Sequence, residues 1–204
     1  MNKVYRFFKK VFGGFLRFIF RVKVINPEKE ITGEPFILCA NHTGAADPII
    51  ISVTMKNQIS YMAKKEAFKV PILAQFLRSI GTFPVDRKKG DVAAIKKTVE
   101  ILKDGGCVGI FPQGTRCPGV DPRTTEVKNG VGMIAARTGV GILPVYIKTK
   151  KNKTGIFKKT RLIVGDYIKP SEIDFDLPPR EKYKKISEYV FDKICSLGEG
   201  ADLK

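Results

Sequence analysis

The chain has 204 residues, of which 43% are hydrophobic and 28% charged, a balance typical of one globular domain with a substantial core. Lys and Arg number 37 against 20 Asp and Glu, and the net charge of +17 predicts a polyanionic partner: nucleic acid, an anionic membrane surface or a phosphorylated substrate. A single histidine and four dispersed cysteines exclude the usual mixed Cys/His zinc sites and favour reduced thiols in the cytosol.

Residues 1–25 are predicted to form a basic amphipathic helix. At about 100° per residue, its cations fall within an arc of roughly 120° and its apolar side chains lie opposite. An aromatic face beside a cationic stripe is typical of a helix at the interface of an anionic membrane, although the face could instead pack on the protein's own core. The cations are Lys3, Arg6, Lys9, Lys10, Arg17 and Arg21, and the apolar residues are Val4, Phe8, Val11, Phe12, Phe15 and Ile19.

From residue 26 onward, short apolar runs alternate with helical periodicity. The predicted strands are 35–40, 58–63, 107–112, 142–149 and 160–168, and the predicted helices are 47–56, 65–80, 92–106, 131–139 and 180–197. This alternation predicts a single α/β domain over 26–204, with a largely parallel sheet, helices on both faces and an active site at the strand carboxyl ends. The basic segment 148–161 is predicted to be a hairpin or loop, and we expect no transmembrane segment, which would need about 20 apolar residues.

The stretch NHTGAADP, residues 41–48, follows the first of these predicted strands and contains His42, the only histidine. Asp47, beside Pro48, could cap the next helix or turn back to hold one ring nitrogen of His42. With one nitrogen held, the other can remove a proton from a substrate hydroxyl. No serine or cysteine stands out as a nucleophile, which favours a two-residue base over a triad.

Four blocks carry a family resemblance: N-H-x4-D at 41–47, GTFPVDR at 81–87, FPQGTR at 111–116 and ILPVYI at 142–147. In this order and spacing they resemble the glycerolipid acyltransferases, and among them the bacterial 1-acyl-sn-glycerol-3-phosphate acyltransferases. The resemblance implies that His42 is the general base and Asp47 its orienting partner. It implies direct transfer of a fatty acyl group from acyl-ACP or acyl-CoA, as co-substrate, to the sn-2 hydroxyl of lysophosphatidic acid, with no metal or further cofactor.

The same resemblance implies cations for the phosphate of the acceptor. Arg87 in the second block and Arg116 in the third would supply guanidinium groups, and Lys64 matches a family lysine associated with the phosphate.

The third block is also expected to bind substrate. The N–H groups of a tight loop at Gly114 and Thr115 could hold a phosphate or glycerol oxygen. Gln113 stands where the family usually has glutamate; it keeps an acceptor oxygen but loses the charge, which leaves the acceptor preference open. Backbone N–H groups after His42 are the candidates for the oxyanion hole.

The resemblance and the basic N-terminus together predict a peripheral protein on the cytoplasmic face of the cell membrane. Its positive charge would attract both anionic lipid and an acidic acyl carrier protein. Within the family, the alternative is acylation of glycerol 3-phosphate or another lysolipid. A non-enzymatic lipid-binding protein is a more distant alternative, and nucleic-acid binding is disfavoured because no recognition module is apparent.

Overall fold

The computed structural model of the chain describes residues 3–85 and 92–200. Helices and strands alternate through most of this length, as the sequence predicts. The helices are α1 Lys3–Ile19, α2 Asp47–Thr54, α3 Pro71–Ser79, α4 Val92–Lys103, α5 Gly130–Thr138 and α6 Pro179–Leu197. The strands are β1 Val22–Ile25, β2 Ile37–Ala40, β3 Ile59–Lys64, β4 Phe83–Val85, β5 Cys107–Ile110, β6 Ile142–Thr149 and β7 Thr160–Val164.

Within the described residues, seven strands form one sheet in the order β1-β7-β6-β2-β5-β3-β4. The five strands β6, β2, β5, β3 and β4 are parallel to one another, whereas β7 is antiparallel to β6 and β1 is parallel to β7. The prediction of a largely parallel sheet is confirmed, and the predicted basic loop joins β6 to β7. Because the carboxyl ends of the five parallel strands meet at one edge, the segments that follow them come together there.

The core has two layers because helices cover both faces of the sheet. The central strand β2 is buried along its whole length, as expected for a parallel strand covered on both sides. Ile37 and Cys39 point toward α5 and α6, whereas Leu38 and Ala40 point toward α2. All four cysteines lie within the described residues and are free thiols.

Helix α1 packs on α2 through a narrow polar strip. Tyr5 is buried and its hydroxyl donates a hydrogen bond to Ser52 O at 2.7 Å; burial raises the pKa of Tyr5 to about 12. The Lys9 ammonium donates to Met55 O, the carbonyl just after α2, where the helix dipole favours a cation. Gly13 is also buried against α2, so this side of α1 lies close to its neighbour.

Most of the other apolar side chains of α1 face solvent, whereas Phe8, Leu16 and Ile19 are half-buried. The greater part of the aromatic face therefore does not pack on the protein's own core. In the part of the chain that the structure describes, no helix combines the length and apolarity required to cross a bilayer. The exposed side chains are Val4, Phe7, Val11, Phe12, Phe15 and Phe18.

The predicted helix over 1–25 is too long, and a domain boundary at residue 25 is wrong. The helix ends at Ile19, Arg21 adopts a left-handed conformation with φ 44°, and Val22–Ile25 pairs with β7 as an edge strand. Three of these four strand residues are β-branched, which favours extended backbone. Strand β1 therefore belongs to the same sheet as the rest of the domain.

Gly132 allows α5 and α6 to approach closely. A Cβ at this position would lie 2.0 Å from Tyr183 O, and the Gly132 N–H donates to Ser187 Oγ at 2.9 Å. This contact holds α5 and α6 together on one face of the sheet.

We expect Gly132→Ala to lower the stability of the fold by about 1–3 kcal/mol, because the added methyl group would push α5 away from a backbone carbonyl. Gly130→Ala is the matched control in the same helix, since a Cβ there meets nothing within 4 Å. The control should be neutral or slightly stabilising. Denaturant unfolding of both variants tests this, and equal midpoints would contradict it.

Candidate active site

The chain leaves β2 at Asn41, whose side chain continues the pairing with β6. Its Nδ2 donates to Ile147 O at 3.1 Å, and its Oδ1 accepts from Ile147 N at 2.7 Å. Asn41 is fully buried, so these bonds satisfy polar groups that water cannot reach. The side-chain amide takes the place of a backbone partner, and the main chain is free to turn away from the sheet.

His42 and Asp47 form a buried pair directly after this turn. His42 Nδ1 lies 2.9 Å from Asp47 Oδ2, and the aspartate is fully buried. The same oxygen accepts the backbone N–H groups of Thr43 at 2.6 Å and Gly44 at 2.7 Å. In the neutral imidazole, a carboxylate at Nδ1 favours the tautomer with the proton on that nitrogen, and Nε2 then carries the lone pair. Of the two roles predicted for Asp47, the carboxylate therefore turns back toward His42.

These contacts correct one expectation about the oxyanion hole. The N–H groups of Thr43 and Gly44 directly follow His42, but both donate to Asp47. They are already used within the loop and do not stabilise a developing oxyanion.

The second oxygen of Asp47 is held by two hydroxyl groups. Thr154 Oγ1 donates to Oδ1 at 2.6 Å, and Thr43 Oγ1 approaches the same atom at 3.2 Å. The two hydroxyls also contact each other. Thr154 comes from the connection between β6 and β7, 107 residues further along the chain than Asp47. The carboxylate therefore links two loops at the same edge of the sheet.

The backbone and ring of His42 are fixed by the loop after β5. His42 N donates to Gln113 Oε1 at 2.7 Å, and His42 O accepts from Cys117 N at 2.8 Å. The imidazole stacks on the Phe111 ring, with centroids 3.9 Å apart and an interplanar angle of 14°. With its main chain, one ring nitrogen and one ring face all held, the imidazole has a defined orientation.

Gln113 links two loops through both of its polar atoms. Because the donor at His42 is a backbone N–H, the Gln113 oxygen must face it, and Nε2 then donates to Thr125 Oγ1 at 2.8 Å. The Thr125 hydroxyl in turn donates to Pro122 O at 2.6 Å. Gln113 is almost fully buried and both of its polar atoms have protein partners, so it supports His42. Its predicted contact with substrate stays a prediction.

A cleft of about 480 Å³ opens beside the imidazole. His42 lines it together with apolar side chains from the carboxyl-terminal parts of β3, β4 and β5. Gly109 is required here, because a Cβ would lie 2.1 Å from the ring of Tyr61, which covers β5 at this point. The lining residues other than His42 and Gly109 are Tyr61, Met62, Val85, Ile110, Phe111, Pro112, Gln113, Gly114, Thr115, Lys128, Gly130 and Val131.

Gly114 and Thr115 both line this cleft. Gly114 adopts φ 69°, a left-handed conformation that favours glycine, and its N–H donates to Phe111 O at 2.9 Å. The loop is therefore a tight turn, but the Gly114 N–H closes the turn and does not point to a substrate.

The predicted phosphate-binding cations do not line the cleft in the described part of the chain. Lys64 ends β3, where it pairs in register with Val85, and Arg116 follows β5. Both side chains are exposed at the edge that carries the cleft, but neither lines it. Arg87 lies outside the described residues, so its role stays a prediction.

Comparison with known proteins identifies the family. A sequence model of the Acyltransferase family matches residues 21–148, which is more than half of the chain. The chain belongs to this acyltransferase family. The matched region contains all four sequence blocks, and with them both His42 and Asp47. The predicted resemblance is therefore confirmed.

Named relatives of this acyltransferase occur in bacteria, plants and yeasts. A 1-acyl-sn-glycerol-3-phosphate acyltransferase of Bacillus subtilis is 33% identical over 185 residues, covering 89% of this chain and 90% of the relative. One of Borreliella burgdorferi is 33% identical over 79% of this chain and 62% of the relative. The crystal structure of the 1-acyl-sn-glycerophosphate (LPA) acyltransferase PlsC from Thermotoga maritima matches with a TM-score of 0.74 and 26% identity, covering 97% of this chain and 81% of that one.

The sequence analysis does not predict two polar residues that the structure places at the acyltransferase site. Thr154 lies in a lysine-rich segment, and Lys128, which lines the cleft, lies in an irregular loop. Neither position has periodicity or a motif, so no sequence signal marks it. Phe111 and Asn41 lie within the blocks, but their stacking and strand-extending roles depend on contacts that only the fold creates.

We expect Thr154→Val to lower kcat of the acyltransferase about tenfold with little change in KM, because a buried Asp47 oxygen loses a donor worth about 1–3 kcal/mol. Thr154→Ser restores the hydroxyl and should restore most of kcat. Steady-state kinetics of the three chains test this. If Val and Ser variants behave alike, the hydroxyl has no positioning role.

Proposed function

We propose that this O-acyltransferase moves a fatty acyl group from a thioester to the sn-2 hydroxyl of 1-acyl-glycerol-3-phosphate, forming phosphatidic acid. The relatives from Bacillus subtilis and Borreliella burgdorferi carry the name of this activity. The observation that carries the proposal is the placement of His42, whose Nδ1 is bonded to Asp47 while the ring lines an apolar cleft. A neutral imidazole held in this way is suited to deprotonate an alcohol.

The proposed reaction needs one proton acceptor. An alcohol is a weak nucleophile until its proton is removed, and His42 Nε2 accepts that proton as the oxygen attacks the thioester carbonyl. The carbon–sulfur bond then breaks, and the imidazolium returns the proton to the leaving thiolate. Asp47 stabilises the positive charge that His42 carries between these two steps.

Direct transfer agrees with the residues around the cleft. Among its described lining residues there is neither serine nor cysteine, the side chains that usually carry an acyl group in two-step transfers. The backbone N–H of Cys117 donates to His42 O, and its thiol lies 3.8 Å from Thr115 O. The thioester is then the only co-substrate that the reaction requires.

The apolar part of the cleft suits a fatty acyl chain. Tyr61, Met62, Val85 and Ile110 supply an extended apolar wall, and Phe111 continues it to the face of the His42 ring. Ligand pockets of this kind bury an apolar chain and place a few polar groups at the reacting end.

The phosphate of the acceptor requires cations near the same cleft. Lys128 is the cationic side chain among the described lining residues, and Glu126 Oε1 lies 2.5 Å from its ammonium. Lys64 and Arg116 lie exposed at the same edge, and Arg87 belongs to the second block. A phosphate monoester can recruit several of these cations together.

Both proposed donors are acidic. Acyl carrier protein and CoA each bring negative charge, so the net charge of +17 favours their encounter with the enzyme.

We also place the enzyme at the cytoplasmic face of the cell membrane as a peripheral protein. The exposed aromatic side chains of α1 and the cations beside them support this location, because an interfacial helix buries aromatic residues among lipids and pairs lysines with anionic headgroups. The acceptor and the product are lipids, so a location at the bilayer gives both direct access.

We expect His42→Ala to slow thiol release from acyl-ACP or acyl-CoA in the presence of lysophosphatidic acid by about 100- to 10,000-fold, because the general base is lost. The far-UV circular dichroism of the variant should match wild type. An unchanged rate would mean that another group is the base, and wild type that releases no thiol above background would indicate a non-enzymatic lipid-binding protein. If wild type responds only to glycerol 3-phosphate or another lysolipid, the acceptor assignment is wrong and the chemistry stands.

We expect Arg87→Ala to raise KM for lysophosphatidic acid about tenfold or more while KM for the thioester changes little, because a guanidinium–phosphate contact is lost. Arg137→Ala, exposed in the last turn of α5, removes the same charge away from the cleft and serves as the control. An equal rise of KM for both substrates would argue against a phosphate contact.

A further inference from the structure

The connection between β6 and β7, residues 150–159, is rich in lysine and has an apolar tip formed by Ile156 and Phe157. Building on the proposed membrane location, we propose that this 150–159 loop is a second membrane-contact element, which inserts Ile156 and Phe157 into an anionic bilayer beside α1. The proposal rests on three observations: the exposure of the tip, the charge around it and its attachment to the end of α1.

The tip presents two large apolar side chains to solvent. Ile156 is 64% exposed and Phe157 is 63% exposed. They occupy the centre of a turn closed by Lys158 N donating to Gly155 O at 3.2 Å. Phe157 has φ 59°, a left-handed conformation that usually selects glycine or asparagine, so an aromatic residue here costs about 1 kcal/mol or more. An aromatic side chain with this cost and few contacts within the protein indicates a contact outside it.

The charge around the tip matches an anionic lipid surface. The loop contains no acidic residue, and lysines lie on both sides of Ile156 and Phe157. Arg21, from the end of α1, shares a recess of about 610 Å³ with Phe157 and four of these lysines. An apolar centre bordered by cations is the arrangement that binds at the headgroup level. The loop lysines are Lys150, Lys151, Lys153, Lys158 and Lys159.

The tip is attached to the carboxyl-terminal end of α1. Phe157 N donates to Ile19 O at 2.7 Å, and Thr160 N donates to Arg21 O at 3.3 Å. Phe15 and Phe18, at the same end of α1, are 61% and 73% exposed. The apolar tip therefore extends the aromatic face of α1, and one bilayer surface can accept both.

The same loop reaches the catalytic pair. Thr154, two residues before Ile156, donates to Asp47 Oδ1 at 2.6 Å. A bilayer contact at Ile156 and Phe157 would hold residues 154–157 in place. This short segment would then contact the lipid surface at one end and the Asp47 carboxylate at the other.

The absence of tryptophan from the sequence allows a direct test with single reporters. Phe157→Trp reports on the tip, Phe18→Trp reports on α1, and Leu177→Trp is an exposed control near the start of α6, on the other face of the sheet. Each full-length chain is mixed with vesicles of phosphatidylglycerol and phosphatidylcholine in equal parts, with and without brominated acyl chains.

We expect the Phe157→Trp emission to shift to shorter wavelength and to be quenched by the brominated lipid, while Leu177→Trp keeps the emission of water-exposed indole. A shift for Phe18→Trp without one for Phe157→Trp would overturn the loop proposal and leave α1 as the membrane element. No shift at either position would overturn membrane contact altogether. Thiol release with lysophosphatidic acid would still report separately on the acyl transfer.

A matched pair of charge reversals tests the cationic part. Lys158→Glu with Lys159→Glu should weaken partitioning to the anionic vesicles about tenfold or more, since each surface lysine contributes substantially near anionic lipid. Lys184→Glu with Lys185→Glu makes the same charge change on exposed positions of α6 and should have a much smaller effect. Equal losses for the two pairs would mean that net charge alone, and not the loop, determines binding.

Discussion

The carboxylate of Asp47 has no contact with solvent, and a buried charge is tolerated only where hydrogen bonds replace the water that it has lost. Here the replacements come from the imidazole and two backbone N–H groups on one oxygen and two hydroxyls around the other. The hydrogen bonds to this one carboxylate therefore fix the path of residues 42–47 and orient His42. They also bind the β6–β7 connection to the edge of the sheet that carries the cleft. Removing any donor leaves part of a buried charge unpaired.

Helix α2 connects the His42 and Asp47 pair to α1. It begins at Asp47 and spans only eight residues, and its other end accepts the Tyr5 and Lys9 contacts of α1. Because α1 uses its polar strip for this packing, its aromatic side remains exposed. The amphipathic pattern of α1 thus has three faces and not two: one for the protein, one cationic and one apolar.

The pairing of His42 with Asp47 and the parallel sheet could be predicted because they leave strong local signals. His42 is the only histidine and follows an apolar run, and the repeated alternation of strands and helices specifies a doubly covered sheet. The short strands β1 and β4, of four and three residues, are too brief to show a period, and β1 continues the apolar pattern of the helix before it. The role of Thr154 and the inward hydrogen bonds of Gln113 depend on contacts between distant segments, for which a single sequence holds no sign.

The hydrogen bonds of Gln113 have a fixed direction, and this direction ties two positions together. The backbone N–H of His42 determines which end of the amide faces it, so the NH2 group must find an acceptor and Thr125 must send its own proton to Pro122. A glutamate at 113 would place an acceptor where the Thr125 hydroxyl now receives a hydrogen bond, so that hydroxyl would have to donate to the glutamate and abandon Pro122. An apolar residue at 125 would leave the amide of Gln113 without a partner. Residues 113 and 125 are therefore expected to change together in evolution, so that a substitution tolerated in one member of the family is damaging in another.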